Sequence, residues 1–197
     1  MRKIIVALAA AVLIAPAVWA DSEFSIALQG GASHYTSSLS SGSDTGAAYG
    51  ARLGILPTPM LGVELGYLGT QNNVKQSLDI GREASTLMTN EGYADVRLNL
   101  LPGAFTPYVF GGYGLTWVSG GAASGIPNRS VNTLPFGGGI EANAGAFKIG
   151  GRFQYNYLFD RIYTGNSSSG VPGVVGADKG GNSDFWGVTL DLGASFR

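Results

Sequence analysis

The sequence predicts an all-β protein, an eight-stranded antiparallel up-and-down transmembrane β-barrel, and three observations carry this prediction. Apolar and polar residues alternate with a period of two over eight segments. Long and short connections between these segments alternate along the chain, as in a meander of hairpins. After the first 20 residues, no apolar run is long enough to cross a membrane as a helix.

The first residues have the order of a secretory signal peptide. Arg2 and Lys3 precede an apolar run over residues 4–15, and small residues follow at Val18-Trp19-Ala20. We therefore predict a cleavable signal peptide at 1–20 and a single barrel domain at 21–197. Cleavage after Ala17 and an uncleaved anchor helix remain alternatives.

Composition excludes several classes of protein. Removal of Arg2 and Lys3 reduces the 12 basic residues to ten against 13 acidic ones, a formal charge of −3, which does not suit a nucleic-acid backbone. The absence of cysteine excludes a disulfide framework and a thiolate metal site. The 32 glycines show no three-residue period, so the chain is not collagen-like.

The eight alternating segments are the predicted strands. They cover residues 24–33, 47–55, 61–67, 94–100, 108–118, 133–143, 147–157 and 186–196. The facing of the glycine-rich segment 108–118 is ambiguous. Short turns are expected near Pro57, Pro102 and Gly145, and long polar loops near Ser40, Ser77, Ala123 and Ser169. In an up-and-down barrel the short turns share the periplasmic end and the long loops share the outer end.

The chemistry of the two faces distinguishes a membrane barrel from a soluble one. Alternate positions of a strand face opposite sides of the sheet, and each of these two sets of positions is called a parity. One parity is large and apolar, as in Val63, Leu65 and Tyr67, whereas the other carries Gly, Ser, Thr and isolated charges. A soluble, lipocalin-like barrel, the alternative, would place the bulky face inside. Aromatic residues near strand ends are expected to form the interfacial girdles, namely Tyr35, Tyr67, Tyr108, Trp117, Tyr157 and Trp186.

Four short motifs resemble the OmpA-like and opacity-type family of outer-membrane barrels. They are Gly-Ala-Arg-Leu-Gly at 50–54, Gly-Val-Glu-Leu-Gly-Tyr at 62–67, Thr-Pro-Tyr-Val at 106–109 and Gly-Gly-Tyr-Gly at 111–114. The resemblance implies the outer membrane of a Gram-negative bacterium, with both mature termini in the periplasm. It also implies a barrel-assembly machinery that reads the C-terminal strand, which ends here at Phe196 before Arg197.

Charged residues on the small-residue parity are the candidate site. Arg52 and Glu64 flank one short turn and are expected to form an ion pair across adjacent strands. Enclosed charges are costly when unpaired, so a connected network is predicted in the lumen. Its predicted members are Arg52, Glu64, Asp95, Arg97, Glu141, Arg152 and Asp191. The network is interpreted as a plug, with a gate or narrow solute path as the alternative.

An enzymatic site finds little support. His34 is the only histidine, lies on the apolar parity and has no acid near it in sequence, so a His/Ser/acid site of the lipid A-modifying kind is disfavoured. One imidazole also lacks partners for a metal site. No catalytic, metal or cofactor residues are predicted.

The predicted function is therefore structural or interactive. The chain is expected to be a non-enzymatic outer-membrane barrel that presents four extracellular loops. Expected partners are outer-membrane lipid and lipopolysaccharide, the assembly machinery and an unknown extracellular ligand of the loops. A narrow porin-like channel and a lipid A-modifying enzyme are the alternatives.

Overall fold

The computed structural model describes residues 22–36, 44–74, 85–120, 129–159 and 184–196. The predicted signal peptide, the four long loops and Arg197 lie outside these residues. The strands are β1 Glu23–Tyr35, β2 Gly46–Leu56, β3 Leu61–Val74, β4 Ser85–Asn99, β5 Phe105–Gly120, β6 Arg129–Ala144, β7 Phe147–Leu158 and β8 Phe185–Phe196. In this part of the chain, no helix is long and apolar enough to cross a membrane.

The eight strands close into a barrel, which confirms the predicted fold class. Each strand pairs antiparallel with its neighbour in sequence, and β1 also pairs with β8. Gln29 on β1, for example, is opposite both Gly50 on β2 and Asp191 on β8. Closure removes the sheet edges, so the backbone groups of every strand have a partner on both sides.

Two strands are longer than predicted. β3 continues past Tyr67 to Val74, and β4 begins at Ser85 rather than at Ala94, so that the two strands pair as far as Val74 with Ser85. The sequence prediction stopped early because the extensions carry polar residues on both parities, such as Gln71 and Asn72. A strand end that rises out of the hydrocarbon region needs no apolar outer face.

The outer surface is the bulky parity, as predicted. Leu28 on β1 is 65% exposed and Leu190 on β8 is 70% exposed, although both are large and apolar. Similar residues cover the outside of every strand, including Val63, Val96 and Phe153. In water this belt would be strongly unfavourable, whereas hydrocarbon accommodates it at no cost.

The predicted aromatic girdle is partly wrong. Tyr67, Trp117 and Tyr157 are exposed on the outer surface and Trp186 is partly exposed, but Tyr35 and Tyr108 lie inside, at 0% and 2% exposure. The error arose because amphipathic tyrosines suit both places. On the outside, Tyr67 Oη donates to Asn90 Oδ1 at 2.5 Å, which pairs a polar group of β3 with one of β4.

Short connections define one end of the barrel, here named the turn end. The β6–β7 connection consists of Gly145 and Ala146, and Gly145 has a φ of 65°, which glycine adopts without a steric penalty. Asparagine side chains close the other two turns: Asn99 Nδ2 donates to Pro59 O, and Asn143 Nδ2 donates to Gly103 O, both at 2.8 Å. The opposite end is named the loop end.

Candidate functional site

Glycines on the inner face make room for large side chains within the barrel. A Cβ atom on Gly66 would lie 2.1 Å from Tyr93 Cζ, and one on Gly139 would lie 2.6 Å from Tyr108 Oη. The facing of β5, which its glycine-rich sequence left ambiguous, is thereby resolved: Tyr108 and Phe110 point inward. The lumen is thus lined by charges and large aromatic rings together, not by charges and small residues alone.

Glu64 lies at the centre of the charged interior. Its Oε1 is 3.2 Å from Arg97 Nη1 and 3.5 Å from Arg52 Nε, and its Oε2 is 2.9 Å from Arg152 Nη1. The carboxylate is 1% exposed, and the three arginines come from β2, β4 and β7. One carboxylate therefore joins three strands across the lumen.

The other predicted acids form ion pairs with the same arginines. Arg152 Nη2 lies 2.7 Å from Asp95 Oδ2, and Arg52 Nη2 lies 3.0 Å from Asp191 Oδ2. Arg97 Nη1 lies 3.2 Å from Glu141 Oε2. The structure thus brings all seven sequence-derived residues into one connected set, named the charge layer: Arg52, Glu64, Asp95, Arg97, Glu141, Arg152 and Asp191.

Aromatic rings pack against two of the guanidinium groups. Arg152 Cζ lies 3.3 Å from the ring centroid of Phe110, and Arg97 Cζ lies 3.8 Å from that of Tyr108. A guanidinium over an aromatic face gains electrostatic attraction and loses contact with water. These rings therefore hold the arginines in place and fill the space around them.

Two further charged residues extend the set towards the turn end. Lys148 Nζ lies 3.1 Å from Glu141 Oε1 and 2.5 Å from Glu23 Oε1. Lys148 is on the same parity of β7 as Arg152, and Glu23 is on the parity of β1 opposite that of Phe24, so strict alternation alone would have indicated both residues. Both residues are only half-buried, so the charge layer approaches solvent at this end.

A layer of amides and hydroxyls lies between the charge layer and the loop end. Arg152 Nε donates to Gln154 Oε1 at 3.3 Å, and Gln154 Nε2 donates to Asn156 Oδ1 at 2.9 Å. Higher up, the Thr116 and Thr133 hydroxyls share a hydrogen bond, and so do those of Tyr35 and Thr89. The sequence analysis missed this layer because uncharged polar residues on an inner parity give no specific signal.

The loop end of the lumen is mainly apolar, although Ser33 and Asn72 are also buried there and share a hydrogen bond. Side chains of 0–3% exposure lie within the last few residues of six strands, and they are named the apolar cap: Tyr35, Leu87, Val118, Val131, Leu158 and Phe185. The rings of Tyr35 and Phe185 pack at 5.6 Å between centroids. The described lumen thus changes from charged at the turn end to apolar at the loop end.

His34 is on the outward parity of β1, together with Phe24, Ile26 and Leu28. The His34 ring packs against Trp186, with 5.8 Å between centroids, near the loop ends of β1 and β8. Within the described ranges, no group of three or more His, Cys, Asp or Glu side chains is arranged to hold a metal ion.

The fold defines the chain as a small eight-stranded barrel of the type found in bacterial outer membranes. The Neisserial surface protein A, NspA, superposes with a TM-score of 0.60 at 13% identity, over 88% of this chain and 97% of that one. Ail, the attachment invasion locus protein of Yersinia pestis, gives 0.56 at 15% identity, over 89% and 99%.

A third solved structure, the outer membrane protein OprG from Pseudomonas aeruginosa, gives a TM-score of 0.52 at 13% identity, over 88% of this chain and 96% of that one. No protein-family model and no curated protein sequence matches the chain. At these identities the likeness establishes the fold alone.

Proposed function

We propose that the protein is a non-enzymatic integral protein of the outer membrane of a Gram-negative bacterium, which anchors four extracellular loops and has a lumen closed by its own side chains. The observation that carries this proposal is the contrast between the two faces. An apolar belt surrounds the barrel, whereas ion pairs connect its interior from strand to strand. Such a barrel is stable in lipid and offers its surface, not its interior, for interaction.

The orientation follows from the connections. The three short turns share one end with both ends of the described chain, Ser22 and Phe196, and we assign this end to the periplasm. The long connections, residues 37–43, 75–84, 121–128 and 160–183, then face the outside. The belt would contact outer-membrane lipid and lipopolysaccharide, and the strand ending at Phe196 would be read by the barrel-assembly machinery.

Accessibility of inserted epitope tags on intact cells tests this orientation. A tag inserted at Ser169 is expected to bind antibody on intact cells, whereas a tag inserted between Gly145 and Ala146 is expected to bind only after the outer membrane is permeabilised. The second insertion is the matched control, because both variants carry the same tag in a connection between strands. If the antibody bound intact cells only when the tag was in the short turn, the assigned orientation would be wrong.

The loops are the part that would meet a partner. Ail, one of the barrels of similar fold, is an attachment invasion locus protein and has also been solved in complex with the heparin analogue sucrose octasulfate. The four loop segments of the present chain carry Lys and Arg in numbers similar to Asp and Glu and are rich in Ser, Gly and Asn. A neutral, hydrogen-bonding ligand therefore suits them better than a polyanion. Whole-cell binding with each loop replaced by a Gly-Ser segment of equal length would identify the loop responsible.

A narrow channel for ions or small solutes is the second candidate, because the interior retains polar atoms without partners. Arg52 Nη1 and Asp95 Oδ1 are buried and have no hydrogen-bond partner among the described residues. Water at these atoms would open part of a path along the charge layer. Swelling of proteoliposomes in a small sugar would favour this candidate, whereas liposomes that do not swell would favour the closed lumen.

An enzyme that modifies lipid A is the third candidate. We propose against it because the described interior holds ion pairs, not an exposed nucleophile with a base. Expression of the protein in a bacterial strain that makes lipid A is expected to leave the mass of the lipid A unchanged. A mass change that does not occur when a barrel without enzymatic activity is expressed in the same strain would overturn the proposal.

A further inference from the structure

Glu91 is the one acidic residue of the amide and hydroxyl layer. It lies on the inner face of β4 at 0% exposure, opposite Leu68 on β3 and Thr116 on β5. The charge layer lies towards the turn end and the apolar cap towards the loop end. The sequence analysis did not include this residue, and neither the closed lumen nor the anchoring role requires an acid here.

Among the residues that the structure describes, the Glu91 carboxyl group has no ion-pair partner. The charged groups that act on it are Asp95 and Arg152. Asp95 is on the same face of the same strand and repels a second negative charge. Arg152 already contacts Glu64 at 2.9 Å and Asp95 at 2.7 Å. An ionised Glu91 would therefore be a buried charge without a cationic partner, with only a long hydrogen bond from Gln154 Nε2 at 3.4 Å to its Oε2, which is strongly unfavourable.

The direction of the surrounding hydrogen bonds favours the neutral, protonated form of the Glu91 carboxyl group. Arg152 can only donate, so its contact with Gln154 Oε1 fixes that amide with its nitrogen towards Asn156. Gln154 Nε2 donates to Asn156 Oδ1 at 2.9 Å. The same atom of Asn156 lies 3.0 Å from Glu91 Oε2 and 3.3 Å from Glu91 Oε1.

Two acceptor oxygens at 3.0 Å require a proton between them. If the Asn156 amide were rotated to offer its nitrogen to Glu91, that nitrogen would face the Gln154 nitrogen at 2.9 Å, donor against donor. If Glu91 instead carries a proton, its hydroxyl donates to Asn156 Oδ1, and every contact joins a donor to an acceptor.

We propose that Glu91 is a proton-binding site, a carboxylic acid that remains neutral in the folded barrel and donates to Asn156. The titratable and charged groups around it are Asp95 and Tyr93 on β4 and Arg152 on β7, whereas β3, β5 and β6 present Leu68, Thr116 and Thr133 at this level. The neutral acid ends the charged part of the lumen and allows the apolar cap to pack above it.

The proton links folding to pH. A glutamate in the unfolded chain ionises at about pH 4.3, so unfolding above that pH releases the proton of Glu91. Mass action then favours the unfolded state as pH rises, by about tenfold in the unfolding equilibrium constant per pH unit for one proton. Deprotonation within the barrel would place an unpaired charge beneath the cap.

Infrared spectroscopy detects the proton directly. In a detergent without ester groups, the wild-type barrel at pH 7 is expected to show a carboxylic acid C=O band that is absent in Glu91→Gln. The matched control Glu64→Gln removes an ion-paired carboxylate from the same lumen and is expected to retain the band. If the spectrum of the wild type minus that of Glu91→Gln contains only carboxylate bands, the proposal is overturned.

Unfolding equilibria give the second readout. Between about pH 5.5 and 7, the ratio of the wild-type unfolding constant to that of Glu91→Gln is expected to rise about tenfold per pH unit. A ratio independent of pH would contradict the proposal. If Glu91→Gln does not fold, Glu91→Leu also removes the acid and matches an apolar neighbourhood, and the infrared difference between the wild type and Glu91→Leu at pH 7 then decides the question.

Discussion

At the scale of single residues, Glu64 holds the lumen together because three arginines from three strands form ion pairs with one buried carboxylate. Arg52 connects this centre to Asp191 at 3.0 Å, and Arg152 connects it to Asp95 at 2.7 Å. A buried charge that loses its partner costs more than the pair contributes. The network therefore fixes which side chains share a level of the barrel.

A double-mutant cycle at Arg52 and Glu64 tests this arrangement. Arg52→Gln or Glu64→Gln alone is expected to destabilise the barrel by about 3–5 kcal/mol, because each leaves an uncompensated buried charge. The double variant should cost less than the two single changes together. The free energies of unfolding in detergent, at fixed pH and salt, measure the coupling, and additive effects would mean that the two residues do not interact.

The sequence pattern places the seven residues of the charge layer on one parity, but it pairs only Arg52 with Glu64 and does not give the other contacts. Parity alone places Arg52 and Glu64 on the inner face, because a strand alternates strictly. Parity does not distinguish an inward tyrosine from one at the membrane interface, so Tyr35 and Tyr108 were assigned wrongly. Glu91 was missed since the polar residues around it, such as Asn90 and Thr89, blur the alternation at the start of β4.

At the scale of strands, inner glycines decide which large side chains the lumen can hold. Gly66 on β3 leaves space for the ring of Tyr93 on the paired strand, and Gly139 on β6 does so for Tyr108 on β5. This pairing of a small and a large residue cannot be derived from either strand alone. It depends on the register between strands, which the sequence pattern predicts only approximately.

The Gly66→Ala variant tests this complementarity. Its Cβ would lie 2.1 Å from Tyr93 Cζ, so the ring must move, and a loss of about 1–3 kcal/mol in unfolding free energy is expected. Gly187→Ala is the matched control on the inner face of β8, since the nearest atom there is 3.7 Å away. Tyr93→Leu should relieve the loss caused by Gly66→Ala. Equal losses at both glycines would exclude the steric explanation.

The outer face of the strands is tested by introducing a charge. Arginine at Leu190, exposed at the middle of β8, is expected to destabilise the barrel in lipid by about 2–4 kcal/mol, and arginine at Val63, exposed near the turn end of β3, by less. Val63→Leu and Leu190→Val keep the face apolar and should cost little. Unfolding in lipid vesicles measures these values, and an arginine tolerated as well as the apolar controls would place this face in water.

At the scale of the whole molecule, closure of β1 on β8 makes every strand dependent on its two neighbours. The folded mature protein is therefore expected to resist sodium dodecyl sulfate at room temperature and to migrate differently on gels after boiling. Its circular dichroism should be that of an all-β protein. Loss of the fold in the detergent without heating, or a substantial helical signal, would be inconsistent with the closed barrel.

The central claim is that the barrel anchors a surface and does not conduct through its lumen. Single-channel recording across a planar bilayer tests it most directly, with the refolded protein in comparison with a heat-denatured sample of equal detergent content. The account predicts no reproducible stepwise current, because ion pairs and an apolar cap occupy the interior. Unitary current steps that appear only with the folded protein would contradict it and establish a continuous path through the barrel.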